Sequence, residues 1–394
     1  MIKLSGISQW VLRAGLVIYA LSAVTSISGI SAGVVLALLG GLVFFALDLY
    51  GEKQTYGEII SLSAEKKRVL VLLAGFILVC IASPLFSYSP RSTVRRLFNL
   101  LGEISLFPLV FIILKDRDRA FTKKLLDVLL VMAVIQAVYG IIQYFTGLNV
   151  TSSPDVERFG RIKGTLGHWN AVGGVIAMLT PLAAVRIFNG KGRERIFFIV
   201  GTAAMLAAVF FTFTRGAWMG IAAAFMVMGI IKGKRFFILM FVFLALVFLL
   251  PLTRARIAQT IRNPDPLRIL FWQSTLDMIS KRPLTGWGLD SFQKLFYERY
   301  AKQDDGLAHF HCHNTYLGIT QETGLPGLVL FLVMNILFFR RIIKKVKTGD
   351  GFEASLALAL AGSFTAFLVH GLVDFSFRGE TAYLFWFLAG ILFR

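Results

Sequence analysis

The residues best suited to chemistry in this chain are His309, His311 and His313, which alternate along His309-Phe-His311-Cys-His313-Asn314 and make up three of its five histidines. They close a basic segment running from Leu252 to Asn314, between two stretches apolar enough to lie in a membrane. Imidazole has the unperturbed pKa nearest neutrality, so such a cluster at a water–membrane boundary, beside many arginines, points to proton transfer next to a bound anion. His313 and His311 are the candidate general bases, and Asn314 is placed to orient an imidazole or bind a hydroxyl. A metal centre is not expected, because no HExxH-type spacing accompanies the histidines. In a helix starting near His313, Tyr316 shares its face, while the candidate substrate-binding residue Glu322 lies about two to three turns deeper.

Three other groups of residues could hold the anion. Arg215, in Thr214-Arg215-Gly216-Ala217-Trp218, is flanked by long apolar runs and must sit at a tight turn or face a cavity, because exposing it to lipid costs about 3 kcal/mol. Arg161 and Lys163 lead into Gly164-Thr165-Leu166-Gly167-His168-Trp169-Asn170, at the start of an apolar run, where free amides and the helix dipole favour an anion. Gly167, Gly173 and Gly174 read better as positions where another helix packs close. Arg268, Phe271, Trp272 and Thr275 follow helical spacing, which puts a guanidinium and an indole on one face of an amphipathic helix over the membrane surface. That pair suits a sugar phosphate, although each such arginine has the plainer reading of a charge snorkelling to water.

The elements that must position these residues are helices in a membrane. With 56% hydrophobic and 16% charged residues over 394, the chain is too apolar for a soluble domain. The expected fold class is all-α: a polytopic membrane protein with about twelve spans, near 10–28, 30–48, 69–86, 97–114, 125–145, 166–187, 195–213, 215–231, 235–252, 314–339, 354–372 and 380–393. Residues 10–28 read as a retained first span, since no small-residue cleavage pattern with a polar start follows. Cys80, in an apolar run, and Cys312, at the loop end, offer neither a disulfide framework nor a metal quartet. The domain reading is 1–252 for nine spans, 253–313 for a loop of short helices carrying substrate-binding residues, and 314–394 for three more spans.

Placing both termini on the cytoplasmic side puts 24 of the 41 basic residues inside and 17 outside, nine of these in the long 253–313 loop. The outer set holds 13 Arg and only four Lys, Lys163, Lys281, Lys294 and Lys302. Arginine grips phosphate in a planar fork, so an Arg-rich outer face suits a phosphorylated ligand. The net charge of +19 needs no nucleic acid, because the positive-inside bias explains most of it.

In order and spacing, Thr214-Arg215-Gly-Ala-Trp, Arg268 with Trp272, Pro283-Leu-Thr-Gly-Trp-Gly288, His311-Cys-His313-Asn314-Thr-Tyr-Leu, Glu322-Thr-Gly324-Leu-Pro-Gly327 and His370-Gly-Leu-Val-Asp374-Phe resemble the O-antigen ligase and O-antigen polymerase superfamily. The resemblance covers roughly residues 160 to 380. It implies a GT-C-like membrane glycosyltransferase in the bacterial inner membrane, working on the periplasmic face by inversion, without metal, nucleotide sugar or other cofactor. Its donor would be a glycan on undecaprenyl pyrophosphate and its acceptor a sugar hydroxyl of the lipid A core. His313 or His311 would deprotonate that hydroxyl while Arg215 and Arg268 hold the pyrophosphate. The paired His311 and His313 favour the ligase over the polymerase. A transporter of lipid-linked sugars should show an internal repeat and deep polar residues in several helices, and neither is found. A structural subunit would need no histidine–arginine loop.

Overall fold

The computed structural model describes residues 2–50, 62–113, 118–148, 160–251, 253, 254, 258, 262, 266–301 and 311–394. Among them the protein is all-helical, with fourteen α-helices. These are α1 Ile2–Ser22, α2 Ile27–Tyr50, α3 Ala64–Ala82, α4 Pro90–Ile113, α5 Arg119–Thr146, α6 Trp169–Asn189, α7 Gly192–Phe211, α8 Arg215–Lys232, α9 Lys234–Leu249, α10 Pro266–Lys281, α11 Phe292–Arg299, α12 Thr315–Thr348, α13 Gly351–His370 and α14 Gly379–Phe393.

Each of the twelve apolar runs coincides with a helix, and among the described residues eight helices are long and apolar enough to cross a membrane: α2, α3, α5 to α8, α12 and α13. The other four fall short for separate reasons. Ser8, Gln9 and Arg13 dilute α1, and α4 carries Arg91, Arg95, Arg96 and Glu103. The 16 residues of α9 and 15 of α14 give rods of only about 22–24 Å, against a hydrocarbon core of about 30 Å. Yet α14 is apolar all round and almost wholly buried, as are large parts of α6 and α13. Such helices belong at the centre of a bundle rather than against lipid.

Two glycine-bearing motifs lock the loop between α9 and α12 onto the bundle. Pro326 has no N–H, which leaves the Glu322 carbonyl without its helical partner. Gly324, with φ of 72°, kinks α12 just before it. Three backbone bonds use the groups so released: Trp287 N donates to Gln321 O at 2.8 Å, Gly288 N to Glu322 O at 3.0 Å, and Leu325 N to Pro283 O at 2.7 Å. The Pro283–Gly288 turn and the Glu322–Gly327 kink are therefore complementary halves of one joint. The chain around the start of α4 binds this turn and the residue after it, with Tyr88 N donating to Trp287 O at 2.9 Å and Thr93 Oγ1 to Leu289 O at 2.6 Å.

Above this joint, α10 and α11 have a small core of their own. Phe271, Met278, Trp287, Phe292, Leu295, Phe296 and Cys312 are buried against one another, apart from the large core of the bundle. Arg282 and Arg299 cover the Trp287 ring, with guanidinium carbons 4.1 and 5.6 Å from its centroid.

A Cβ on Gly324 would meet the Leu284 carbonyl in a backbone region that L-residues disfavour. Gly324→Ala is expected to destabilise the protein by about 2 kcal/mol or more and to open the 282–290 turn to protease. Gly351→Ala, with open space around it, should leave both unchanged. Thermal unfolding in detergent with limited proteolysis checks this; equal behaviour of the two variants contradicts the joint.

Candidate active site

His313 precedes the helix α12, and its backbone has a positive φ of 54°, uncommon for a residue with a side chain. Asn314 next to it is extended and caps the helix, its Oδ1 accepting from Tyr316 N at 2.9 Å and Leu317 N at 3.0 Å. Its Nδ2 donates to Leu372 O at 2.9 Å. Thr315 N in turn donates to Gly371 O at 2.7 Å, and Thr315 Oγ1 to Asp374 O at 3.0 Å. These bonds fasten the start of α12 to the segment between α13 and α14, and so bring His313 to Asp374.

His313 Nδ1 lies 3.1 Å from Asp374 Oδ1, with the two side chains 27% and 12% exposed. A carboxylate accepts only, so the facing nitrogen is the N–H and the lone pair is left on Nε2. His311 packs edge-on against His313 with ring centroids 4.4 Å apart, and its Nδ1 accepts from His313 N at 3.3 Å. Phe271 of α10 stacks on the His313 ring at 6.1 Å. On the far side of the carboxylate, His370 Nε2 is 3.7 Å from Asp374 Oδ2. His168, which caps α6, lies within electrostatic range of both Asp374 and His313. All four histidines among the described residues thus converge on one carboxylate, whereas His309 lies outside those residues.

Burial pushes the Asp374 carboxyl upward, but the hydrogen bond from His313 and the charges of the surrounding histidines outweigh it and hold it below the usual carboxylate range. Burial and the neighbouring His313 charge lower His311 to about 3, against the pull of Asp374. His311 is therefore a neutral imidazole whose Nδ1 is taken, while His313 has a counter-ion ready for its charged form.

The predicted cations ring this group. Arg161 donates from Nε to Thr212 O at 2.7 Å, and its guanidinium lies 4.3 Å from the Trp169 centroid. Lys163 is buried, with its ammonium 5.5 Å from the same ring. Both lie within electrostatic range of His168. Arg215 is exposed in the first turn of α8, next to Gly216, which packs on His370. Arg268 is within electrostatic range of His370, and its Nε is buried with no hydrogen-bond partner among the described residues. The same is true of Trp272 Nε1, one helical turn along α10. Two predicted residues also make structural bonds. Asn314 is committed to capping α12, and Glu322 is buried and accepts from Asp290 N at 2.9 Å, stiffening the joint beneath the site.

Gly173 and Gly174 match the packing reading, since a Cβ would meet Thr212 and Thr214 at the first and His370 and Thr381 at the second. At Gly167 a Cβ would meet nothing within 4 Å, and its φ of 77° marks it as a turn residue. Asp374 and His370 were visible in the sequence only as a motif with no assigned role. Arg378 was missed; it pairs with Asp290 at 2.8 Å, and its charge reaches His311. The available signal was a cluster of charged residues interrupting two apolar runs. His311, His313 and Asp374 also place potential ligand atoms within 4.8 Å of one another. The cationic surroundings oppose a divalent ion there.

Residues 200–332 match the family described as O-antigen ligase, the superfamily whose motifs the sequence resembles. No curated protein matches the chain. The matched stretch includes Arg215, Arg268, Trp272, His311, His313 and Glu322 and ends before His370 and Asp374. The protein is thus a multi-helix membrane protein whose residues 200–332 are similar to the O-antigen ligase family.

The His311 environment makes stability depend on pH. The unfolded chain protonates His311 below about pH 6.5, whereas the native protein resists protonation until about pH 3. The unfolded state therefore binds more protons between these values, so stability falls as pH falls through this window. At about pH 5 the loss relative to neutrality should be on the order of 1–2 kcal/mol, and His311→Gln should remove it. Thermal midpoints of both proteins across this range test the point; identical slopes contradict it.

Proposed function

We propose that this protein is an O-antigen ligase: an inverting, metal-independent glycosyltransferase of GT-C type that moves a glycan from undecaprenyl pyrophosphate to a lipid A-core hydroxyl. The observation that carries the reading is the His313–Asp374 pair, with Arg161, Lys163 and Arg268 within electrostatic range of its histidine neighbours and Arg215 next to the Gly216 that packs on His370. With Nδ1–H donated to Asp374, the Nε2 of His313 takes the proton of the acceptor hydroxyl. The acceptor oxygen attacks the anomeric carbon from the face opposite the diphosphate. The bond from that carbon to the diphosphate oxygen breaks, and its electron pair leaves with the diphosphate. Asp374 stabilises the imidazolium that forms, without itself taking the proton.

A diphosphate leaving group needs charge stabilisation more than a proton, and guanidinium groups in a water-poor site supply it. Arg215 and Arg268 are the candidate clamps, with Arg161 and Lys163 extending the positive wall. Trp272 presents its indole N–H beside Arg268, where a sugar hydroxyl would satisfy it. Between the two imidazoles, His313 is the base, because His311 is buried with its Nδ1 taken whereas His313 faces the Asp374 carboxylate at 3.1 Å. The site faces the periplasm of the inner membrane in this reading, consistent with the lysine-rich opposite side.

Purified protein in liposomes, given the lipid-linked glycan and lipid A-core with a chelator, should form the transferred product. His313→Ala should lower turnover by about 100-fold or more with donor binding retained. Arg215→Ala and Arg268→Ala should weaken donor binding as well. Glycan chains lengthening on the lipid carrier would make the protein a polymerase using the same donor. Full turnover by His313→Ala would remove the base from the mechanism.

A further inference from the structure

His370, the last residue of α13, is a buried imidazole that the chemistry above does not use. It is wedged between two helices that leave room for it with glycines. A Cβ at Gly174 of α6 would come 2.9 Å from the ring, and one at Gly216 of α8 would come 2.5 Å from it. Its Nε2 is buried with no hydrogen-bond partner among the described residues, and the Asp374 carboxylate is 3.7 Å away. The charged groups facing it are Asp374, four residues on, and Arg268 of α10. An apolar side chain of similar size would fill the same space without burying an unsatisfied nitrogen, so packing alone does not account for an imidazole here.

Asp374 gives the imidazole a purpose. Its Oδ1 accepts from Phe375 N at 3.0 Å and faces His313 at 3.1 Å, while Oδ2 is the oxygen turned to His370. A terminal carboxylate torsion is broad, so a partner on Oδ2 narrows the directions open to Oδ1. We propose that His370 is a positioning residue: it holds Oδ2 of Asp374 so that Oδ1 stays on His313 and fixes that imidazole with its Nε2 lone pair toward the acceptor. The proposal rests on the functional reading of the His313–Asp374 pair. It adds to that reading a residue of α13 whose role is to hold the carboxylate rather than to take the proton.

Transfer kinetics of the wild type, His370→Gln, His370→Met, Asp374→Asn and the His370→Met/Asp374→Asn double variant test it. His370→Met should lower kcat about tenfold, with donor KM kept, and His370→Gln, which retains an N–H donor, should stay within about threefold of wild type. In the Asp374→Asn background the Met substitution should cost nothing further, because residues acting through one another are not additive. A Met variant with wild-type kcat, equal losses for Gln and Met, or losses that multiply in the double variant would each overturn the proposal. If the Met variant is not recovered folded, His370→Asn, too short to reach Oδ2, takes its place with the same expectation.

A second readout needs no turnover. Nitrogen-15 imidazole spectra should show His313 as the Nδ1–H tautomer in the wild type and a rise of the Nε2–H form in His370→Met. Unchanged His313 signals would overturn the positioning role even if the wild type proved inactive. Failure of transfer by the wild type would instead count against the functional reading alone.

Discussion

Keeping a carboxylate ionised at the edge of a helix bundle requires close partners, and Asp374 has them in His313 at 3.1 Å and His370 at 3.7 Å. The rest of the site follows from satisfying that one charge. Asn314 and Thr315 tie the start of α12 to residues 371–374, which sets the distance to His313. Glycines in α6 and α8 admit His370. Phe271 stacks over the His313 ring from α10. Low dielectric strengthens each of these charge contacts and also the attraction between the surrounding cations and a bound diphosphate.

The same economy appears in the motifs outside the catalytic group. Pro283–Gly288 and Glu322–Gly327 are not separate binding elements but two surfaces of one backbone joint, in which a proline and a kink free the carbonyls that the turn then uses. Through Trp287 the joint also carries the small core of α10 and α11, and with it Arg268 and Trp272. The opposite end of the bundle is held differently, by ion pairs such as Arg186 with Asp127 and Glu194, Arg341 with Glu65, and Lys345 with Glu353. One end is thus built from turns and polar joints that can meet a substrate, the other from charges that neutralise one another.

Much of the fold was legible in the sequence, because a bilayer imposes a length and an apolarity that local composition reports directly. The twelve helices stood out for that reason, as did α10 through the spacing of Arg268, Phe271, Trp272 and Thr275. The chemistry was legible only by residue type. That His313 meets Asp374 depends on a contact across 61 positions, which no local spacing encodes. Asn314 read as a residue that orients an imidazole or binds a hydroxyl, and its side chain also supplies the cap that a free helix end needs. Glu322 read as a candidate substrate-binding residue deep in the helix, and its bond to the backbone N–H of Asp290 joins two distant turns.

The stereochemistry of transfer, measured with a chelator present, tests the account most directly. One base on the acceptor side and a diphosphate leaving from the other face require a product whose anomeric configuration is inverted relative to the lipid-linked donor, formed without metal. Proton NMR of the isolated product would show it. Retention of configuration, or product formed only when a divalent ion is restored, would contradict the role given to His313 and Asp374.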